Sequence, residues 1–393
     1  MVLALGLIAG ATLIPADEVP GSGPRIACIL CGTRGIADLI LNLLLFAPLG
    51  AAMKARGTGA LRIVLFAALL AASIELAQVV IPGRNPGWRD VATNVIGASL
   101  GMMFLSAAPA FVAAGQRASW RLASAIAGAL LALLGTGIAL QPLEGTPPFY
   151  GQWAPRLGHL AAWQGRVTFA TLGGRAIPDG PWPPADSVRV LLARNAPLEI
   201  RAIAGVRPQR LAPIIAIADE RQRHLLMLGQ SGDDAIVSVA RRAQAWRLDA
   251  PVRVVPGFFS ELAPEAPFAL TLTDGRALPC LRLGDRSACA DRFGAGSLWT
   301  LLLWDPSWPR ILTRGLDALS FALLFLPAAI LVFRVPRTAS LVGVAMIVVG
   351  ALAATWGSGL AFPTLWEWAA LGIAISVGAW RGARVPPPVA SGD

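Results

Sequence analysis

The chain has 393 residues, 55% of them hydrophobic and only 14% charged, with 33 lysines and arginines against 23 aspartates and glutamates for a net charge of +10. Its apolar runs are too long for the core of a soluble protein, which excludes that class. The basic excess falls between those runs, where membrane topology accounts for it, so nucleic acid is excluded as a partner.

Spans are predicted at about 2–14, 36–53, 61–81, 91–113, 120–140, 311–333, 339–360 and 364–380, all but the first near the roughly 20 residues that a bilayer requires. The first run has no basic start and no small-residue cleavage pattern after it, so it reads as an uncleaved span. Its shortness points to a start upstream. Lys54, Arg56 and Arg62 lie between spans two and three, Arg117 and Arg121 between four and five, Arg334 and Arg337 between six and seven, and Arg381 and Arg384 after eight. The positive-inside rule makes these segments cytoplasmic. Both termini are then inside, while residues 15–35, 82–90 and 141–310 lie outside.

The chain thus divides into a five-span membrane domain at 1–140, an extracytoplasmic insert at 141–310 and a three-span membrane domain with a cytoplasmic tail at 311–393. All four cysteines fall in segments assigned outside, which fits an oxidising compartment. Cys280 and Cys289 are expected to form a disulfide. Cys28 and Cys31 read as a local disulfide or two idle thiols, because neither a histidine nor a second CxxC accompanies them.

Polar residues gather at one end of three spans. Asp38 and Asn42 are four apart on the second span and share a face, as do Glu75 and Gln78 on the third and Asp90 and Asn94 on the fourth. The short link between spans three and four brings Arg84 and Arg89 over them. Ionisable groups inside spans cost at least a few kcal/mol and mark functional sites by default. Such a pocket could bind a phosphate-bearing headgroup, hold a divalent cation through oxygens or relay a proton. The alternative is that these groups satisfy one another and act as glue between helices. Gly97 and Gly101, four apart, predict a close helix contact.

Asn42-Leu-Leu-Leu-Phe-Ala-Pro48-Leu-Gly50, Ser73-Ile-Glu75-Leu-Ala-Gln78, Pro82-Gly-Arg84 and Asp90-Val-Ala-Thr-Asn94-Val-Ile-Gly97, in that order, resemble the VanZ-like family of small bacterial membrane proteins. The resemblance covers about residues 1–113. It implies a place in the bacterial cytoplasmic (inner) membrane and cell envelope and a link to glycopeptide antibiotic resistance, and it supplies no reaction and no catalytic residue.

The insert changes composition at Gln141-Pro-Leu-Glu-Gly-Thr-Pro-Pro. Short runs at 166–172, 188–192, 198–203, 214–218, 224–228, 235–239 and 268–272 have strand length and are separated by turn residues, which predicts an antiparallel β-sandwich. Gln230-Ser-Gly-Asp-Asp and Thr273-Asp-Gly-Arg read as hairpin turns. The order of these strands and the turn after Leu228 resemble the laminin-G or concanavalin-like jelly rolls. That resemblance implies glycan binding, sometimes with calcium, for which Asp219, Asp233 and Asp234 are the candidate ligands; turn chemistry is their other reading. Trp153, Trp163, Trp182 and Trp246 either stack on sugars or fill the core. Trp299, Trp304, Trp308, Trp366 and Trp368 read as an interfacial belt. His159 and His224 are the only histidines, which excludes a multi-histidine metal site. Asp317 and Glu367 are expected at headgroup level or as an extension of the pocket.

The favoured reading is a binding protein whose helices hold a lipid-linked headgroup and whose sandwich meets a glycan or peptidoglycan. An enzyme acting on such a lipid at Glu75, Arg84 and Asp90 is the second reading. A small-molecule transporter is the third, disfavoured because no pair of half-helices meets at the midplane.

Overall fold

The computed structural model describes residues 1–14, 33–82, 84, 87–113, 117–158, 160–276 and 278–383, with side chains to 376. Cys28, Cys31, His159 and Arg384 lie outside the described residues. The first helix, α1 (Val2–Thr12), has 11 residues. At 1.5 Å per residue it covers about 16 Å, half of the ~30 Å hydrocarbon layer, so the first predicted span is a short helix.

Helices α2 (Gly35–Ala55), α3 (Ala60–Gln78), α4 (Trp88–Val112) and α5 (Ala118–Leu140) follow. Their hydropathy is high throughout because lipid surrounds them, and packing is concentrated where side chains are small. Ile8, Phe46, Leu49, Ile63, Ala67, Ala71 and Ala98 form the buried core of an α1–α4 bundle. The expected close contact is present: a Cβ on Gly97 or Gly101 would run into the backbone of Leu43 or Ala47 on α2. Gly50 on α2 completes the crossing, since its missing side chain makes room for the backbone of Ala98.

The insert is a sandwich of two six-stranded antiparallel sheets. In chain order its elements are β1 (Tyr150–Trp153), β2 (Arg166–Leu172), β3 (Arg175–Ala176), β4 (Gly180–Pro181), helix α6 (Ala185–Ala193), β5 (Leu198–Ile203), β6 (Ala212–Ala218), β7 (His224–Ser231), β8 (Asp234–Val239), helix α7 (Arg242–Ala245), β9 (Arg253–Val255), β10 (Pro267–Thr273), β11 (Cys280–Leu283) and β12 (Arg286–Cys289). One sheet has the order β4-β1-β6-β7-β8-β9 and the other β12-β11-β10-β5-β2-β3. Leu172, Leu198, Ile200, Leu270 and Leu281 from the second sheet meet Ile214, Ile217, Leu228 and Val237 from the first in one core. Alternating burial along β5 shows a strand with one face in that core. Trp163 and Trp182 are buried within it, and the Trp163 indole donates to Gln230 Oε1 at 3.1 Å.

Six of the seven predicted strands are present, those at 166–172 and 198–203 with the expected bounds. The run at 188–192 is a correction, because it lies in helix α6. Val188 and Leu192, four apart, both face the core, and Asp186 in the first turn pairs with Arg189 at 2.9 Å. Residues four apart share a face in a helix and in a strand alike, so spacing alone does not separate the two, and this run takes the helix. The β7–β8 turn is the expected tight one, with Ser231 opposite Asp234 and Gly232 at a φ of 57°. Asp274 starts a longer connection to β11 instead of a two-residue hairpin. The Cys280–Cys289 disulfide joins directly opposed residues of β11 and β12.

After the insert come α8 (Arg310–Leu331), α9 (Arg337–Ser358) and α10 (Leu365–Ala383). Among the described residues six helices are long and apolar enough to cross a membrane, α2 to α5 together with α8, extended by one turn to Arg334, and α9. Helix α5 packs against α8 and α9, so that Leu133, Phe321, Phe325, Ala328, Ile347 and Leu371 share a second buried core separate from that of α1–α4. The membrane part is thus two bundles. Ahead of α8, Trp299 stacks on Trp308 and meets Trp304 at a tilt, with ring centroids 5.7 and 5.6 Å apart. Trp366 faces outward, and Trp368 meets Phe321 edge-on inside the second bundle.

The sandwich is fastened to both bundles. Buried Arg241 donates to the Leu140 carbonyl that ends α5 and lies over the Phe293 ring, and burial lowers its pKa to about 10. The Ala361 N–H donates to Phe293 O at 2.8 Å, and the N–H groups of Ile36 and Ala37 donate to Arg247 O at 3.2 and 3.3 Å.

Candidate functional site at the sandwich end of α2 to α4

Helix α2 starts, α3 ends and α4 starts beside the sandwich, so their polar residues come together there. Asn42 Nδ2 donates to Asp90 Oδ1 at 2.8 Å, and Arg89 Nε donates to the same oxygen at 3.1 Å. The Gly87 N–H donates to Glu75 Oε2 at 2.6 Å, which uses an amide left over at the start of α4. Asp38 lies within electrostatic reach of Arg34, Arg89 and Asp90, and Glu75 within reach of Asp90 and Arg89. One turn below Asp90, Asn94 is only 2% exposed, and its Oδ1 has no hydrogen-bond donor among the described residues.

Two expected members point elsewhere. Arg84 donates to the carbonyls of Ala11 at 2.9 Å and Ile14 at 2.8 and 3.0 Å, and Gln78 donates to Thr12 O at 2.9 Å. Both side chains satisfy carbonyls at the end of α1 and just past it, where an arginine also complements the helix dipole. Arg84 therefore does not cover Glu75 and Asp90; Arg89 takes that place. Asp38, Asn42, Glu75, Asp90 and Asn94 remain together, and three carboxylates make the site acid-rich.

Two participants carried no local signal. Arg34 pairs with Asp249 of the insert at 3.1 Å and donates to Leu302 O at 2.9 Å. Burial pushes the Asp249 carboxyl above its usual range, against the pull of Arg34. Charges thus run from the insert through Arg34 and Asp38 to Arg89, Asp90 and Glu75.

The three aspartates considered for calcium are not gathered. Asp219 precedes β7, and Asp233 and Asp234 follow or close it, about 24 Å away along an eight-residue strand. Asp219 is fully buried on Arg223, Asp233 pairs with Arg207 at 2.8 Å, and Asp234 Oδ1 accepts from the Gly257 N–H at 2.6 Å. One ion cannot take all three, and their present partners are arginine and backbone, as turn chemistry requires. Among the described residues no group of three His, Cys, Asp or Glu side chains could hold a metal.

Asp317 and Glu367 are tied into the second bundle. Glu367, 1% exposed, accepts from the Gly296 N–H at 2.5 Å and from the Thr364 N–H and hydroxyl at 2.6 and 2.8 Å, while Asp317 accepts from the Trp299 indole at 2.8 Å. They do not extend the pocket. On the sandwich, the exposed face of the second sheet carries Phe169 with Arg201 stacked 5.3 Å from its centroid, beside Glu199, Thr271 and Arg282.

Residues 5–109 match the family model described as VanZ/LLP1. No curated protein and no solved structure matches the chain. The matched stretch runs from α1 almost to the end of α4 and contains every residue of the acid-rich site on these helices. The chain is a membrane protein that carries a VanZ-like domain at residues 5–109.

Proposed function

We propose that the protein is a non-enzymatic envelope binding protein, in which α2 to α4 hold the headgroup of a lipid-linked component and the sandwich meets a glycan or peptidoglycan-type partner. The observation that carries this reading is Asn94: a buried amide oxygen without a donor costs about 1–3 kcal/mol, and a ligand hydroxyl or amine supplies the missing proton. Asp38, Glu75 and Asp90 around it are acceptors when ionised, which suits a headgroup rich in donors. Arg89 stands where a phosphate linking that headgroup to its lipid would rest. A place in glycopeptide resistance would follow if the component is a cell-wall precursor.

Native mass spectrometry of the full-length protein extracted with its own lipids tests the reading. A specific polyprenyl- or sugar-linked adduct is expected on the natural chain and not on Asn94→Leu, which removes the orphaned oxygen and is expected to fold at least as stably. An adduct kept by that variant, or none beyond bulk phospholipid, sinks the proposal. Turnover of the retained lipid by the natural chain and not by Glu75→Gln would make the protein an enzyme instead.

For the sandwich, the Phe169 and Arg201 pair offers an apolar ring and donors on one exposed face, the combination that sugar rings engage. Retention on immobilised peptidoglycan is expected to fall in Phe169→Ser and Arg201→Ala. Equal retention by both variants removes this face from consideration.

A further inference from the structure

The two bundles have separate buried cores, and among the described residues no helix of α1–α4 packs extensively on α5 or on α8–α10. At the end away from the sandwich, the last turn of α4, the first turns of α5 and Pro327 of α8 enclose an open groove of about 610 Å³. Its walls are apolar at Phe111 and Trp120, and Trp120 is 77% exposed. Its mouth is cationic: Arg117 is exposed and donates no hydrogen bond to a described residue, and among the described residues Arg121 is anchored by one nitrogen, which donates to Ala113 O at 2.9 Å and Phe111 O at 3.3 Å. Ser124 adds a hydroxyl one turn further along.

We propose that this groove binds an anionic phospholipid, with the phosphodiester on Arg117 and Arg121 and the acyl chains in the seam between the bundles. Charge complementarity selects a phosphate, and basic pockets between membrane helices hold anionic headgroups by this means. The apolar walls and exposed indole select a lipid over a free anion, because an interfacial tryptophan sits where headgroup meets chain. The first amides of α5 add positive potential at the same place. A lipid here would fill the gap that separates the two cores and so couple the VanZ-like domain to the helices beyond it. This site is distinct from the acid-rich one at the sandwich end.

The test uses the full-length protein in detergent, titrated separately with phosphatidylglycerol, phosphatidylcholine and inorganic phosphate and followed by native mass spectrometry. Phosphatidylglycerol is expected to be retained in preference to phosphatidylcholine, and inorganic phosphate is expected not to displace it. Each arginine near a headgroup contributes about a fivefold change in affinity, so Arg117→Gln is expected to weaken retention about fivefold and Arg117→Gln/Arg121→Gln about 25-fold. Arg121 also caps α4, so the single Arg117 variant, which removes no hydrogen bond to a described residue, decides the matter if the double variant unfolds. Asn94→Leu should retain phosphatidylglycerol unchanged, which separates this site from the other. Equal retention of phosphatidylcholine, displacement by free phosphate, or unchanged affinity in Arg117→Gln would overturn the assignment.

Discussion

Gly101→Leu is expected to pull α2 and α4 apart and destabilise the α1–α4 bundle by more than about 3 kcal/mol, the upper range for overpacking a tight contact. At this crossing the obstruction is backbone, which cannot rotate out of the way as a side chain can. A Cβ at Gly101 would occupy the space of the Ala47 carbonyl, and Gly97 and Gly50 meet the opposite helix in the same manner. Relief therefore requires the helices to separate along the whole contact. Asn42 and Asp90, which face each other from these two helices at 2.8 Å, would lose their hydrogen bond, so ligand retention at the acid-rich site should disappear with the packing. Gly128 and Gly135 on α5 are the controls, because a Cβ at either meets nothing within 4 Å. Gly128→Leu and Gly135→Leu should unfold at nearly the natural temperature in detergent, followed by tryptophan fluorescence. A Gly101→Leu melting point within a degree or two of those controls would mean that the close crossing does not hold the bundle together.

Contacts of this kind were legible because helical geometry fixes them locally. Residues four apart share a face whatever surrounds them, so the pairs Asp38 and Asn42, Asp90 and Asn94, and Gly97 and Gly101 could be placed from spacing alone. Strands with one face in a core declare themselves by alternation, as Leu198–Ile203 does. Val188–Leu192 does not, since five mostly apolar residues satisfy both periods and only the surrounding fold selects the helix. Long-range choices leave no local trace. Arg84 lies between Glu75 and Asp90 in sequence, yet carbonyls at and just past the end of α1 claim it from 70 and 73 residues away. Arg34 meets Asp249 across the whole first half of the chain, and α5 joins helices that follow a long insert. The orphaned oxygen of Asn94 is likewise a property of what fails to surround it in three dimensions.

Asp219 leads to the second large expectation, a loss of about 3 kcal/mol or more in the sandwich on Asp219→Ala, because removing one partner of a buried pair strands the rest. The carboxylate is fully buried and gathers donors from two segments. Arg223 donates through Nε at 2.9 Å and its terminal nitrogen at 2.6 Å, the N–H groups of Arg221 and Arg223 donate at 3.0 Å each, and Thr146 adds its N–H and hydroxyl at 3.4 Å. Thr146 lies on the strand of chain that leads from α5 into the sandwich, so the same carboxylate closes the β6–β7 turn and pins the entry of the insert. Burial acts to raise the carboxyl, but the Arg223 side-chain bonds and then the backbone donors outweigh it and hold the group below its ordinary 3.8. A folded value lower than the unfolded one means that the stabilisation is fully present above about pH 4 and is lost as pH falls through the lowered value. The melting difference between the natural chain and Asp219→Asn should therefore be constant from pH 7 to 5 and shrink only below about pH 4. Arg223→Ala should cost nearly as much as Asp219→Ala, and the double variant little more than either, since both lose one coupled interaction. If instead millimolar calcium raised the melting point of the natural chain and not of Asp219→Ala, a cation and not Arg223 would be the partner that this carboxylate serves.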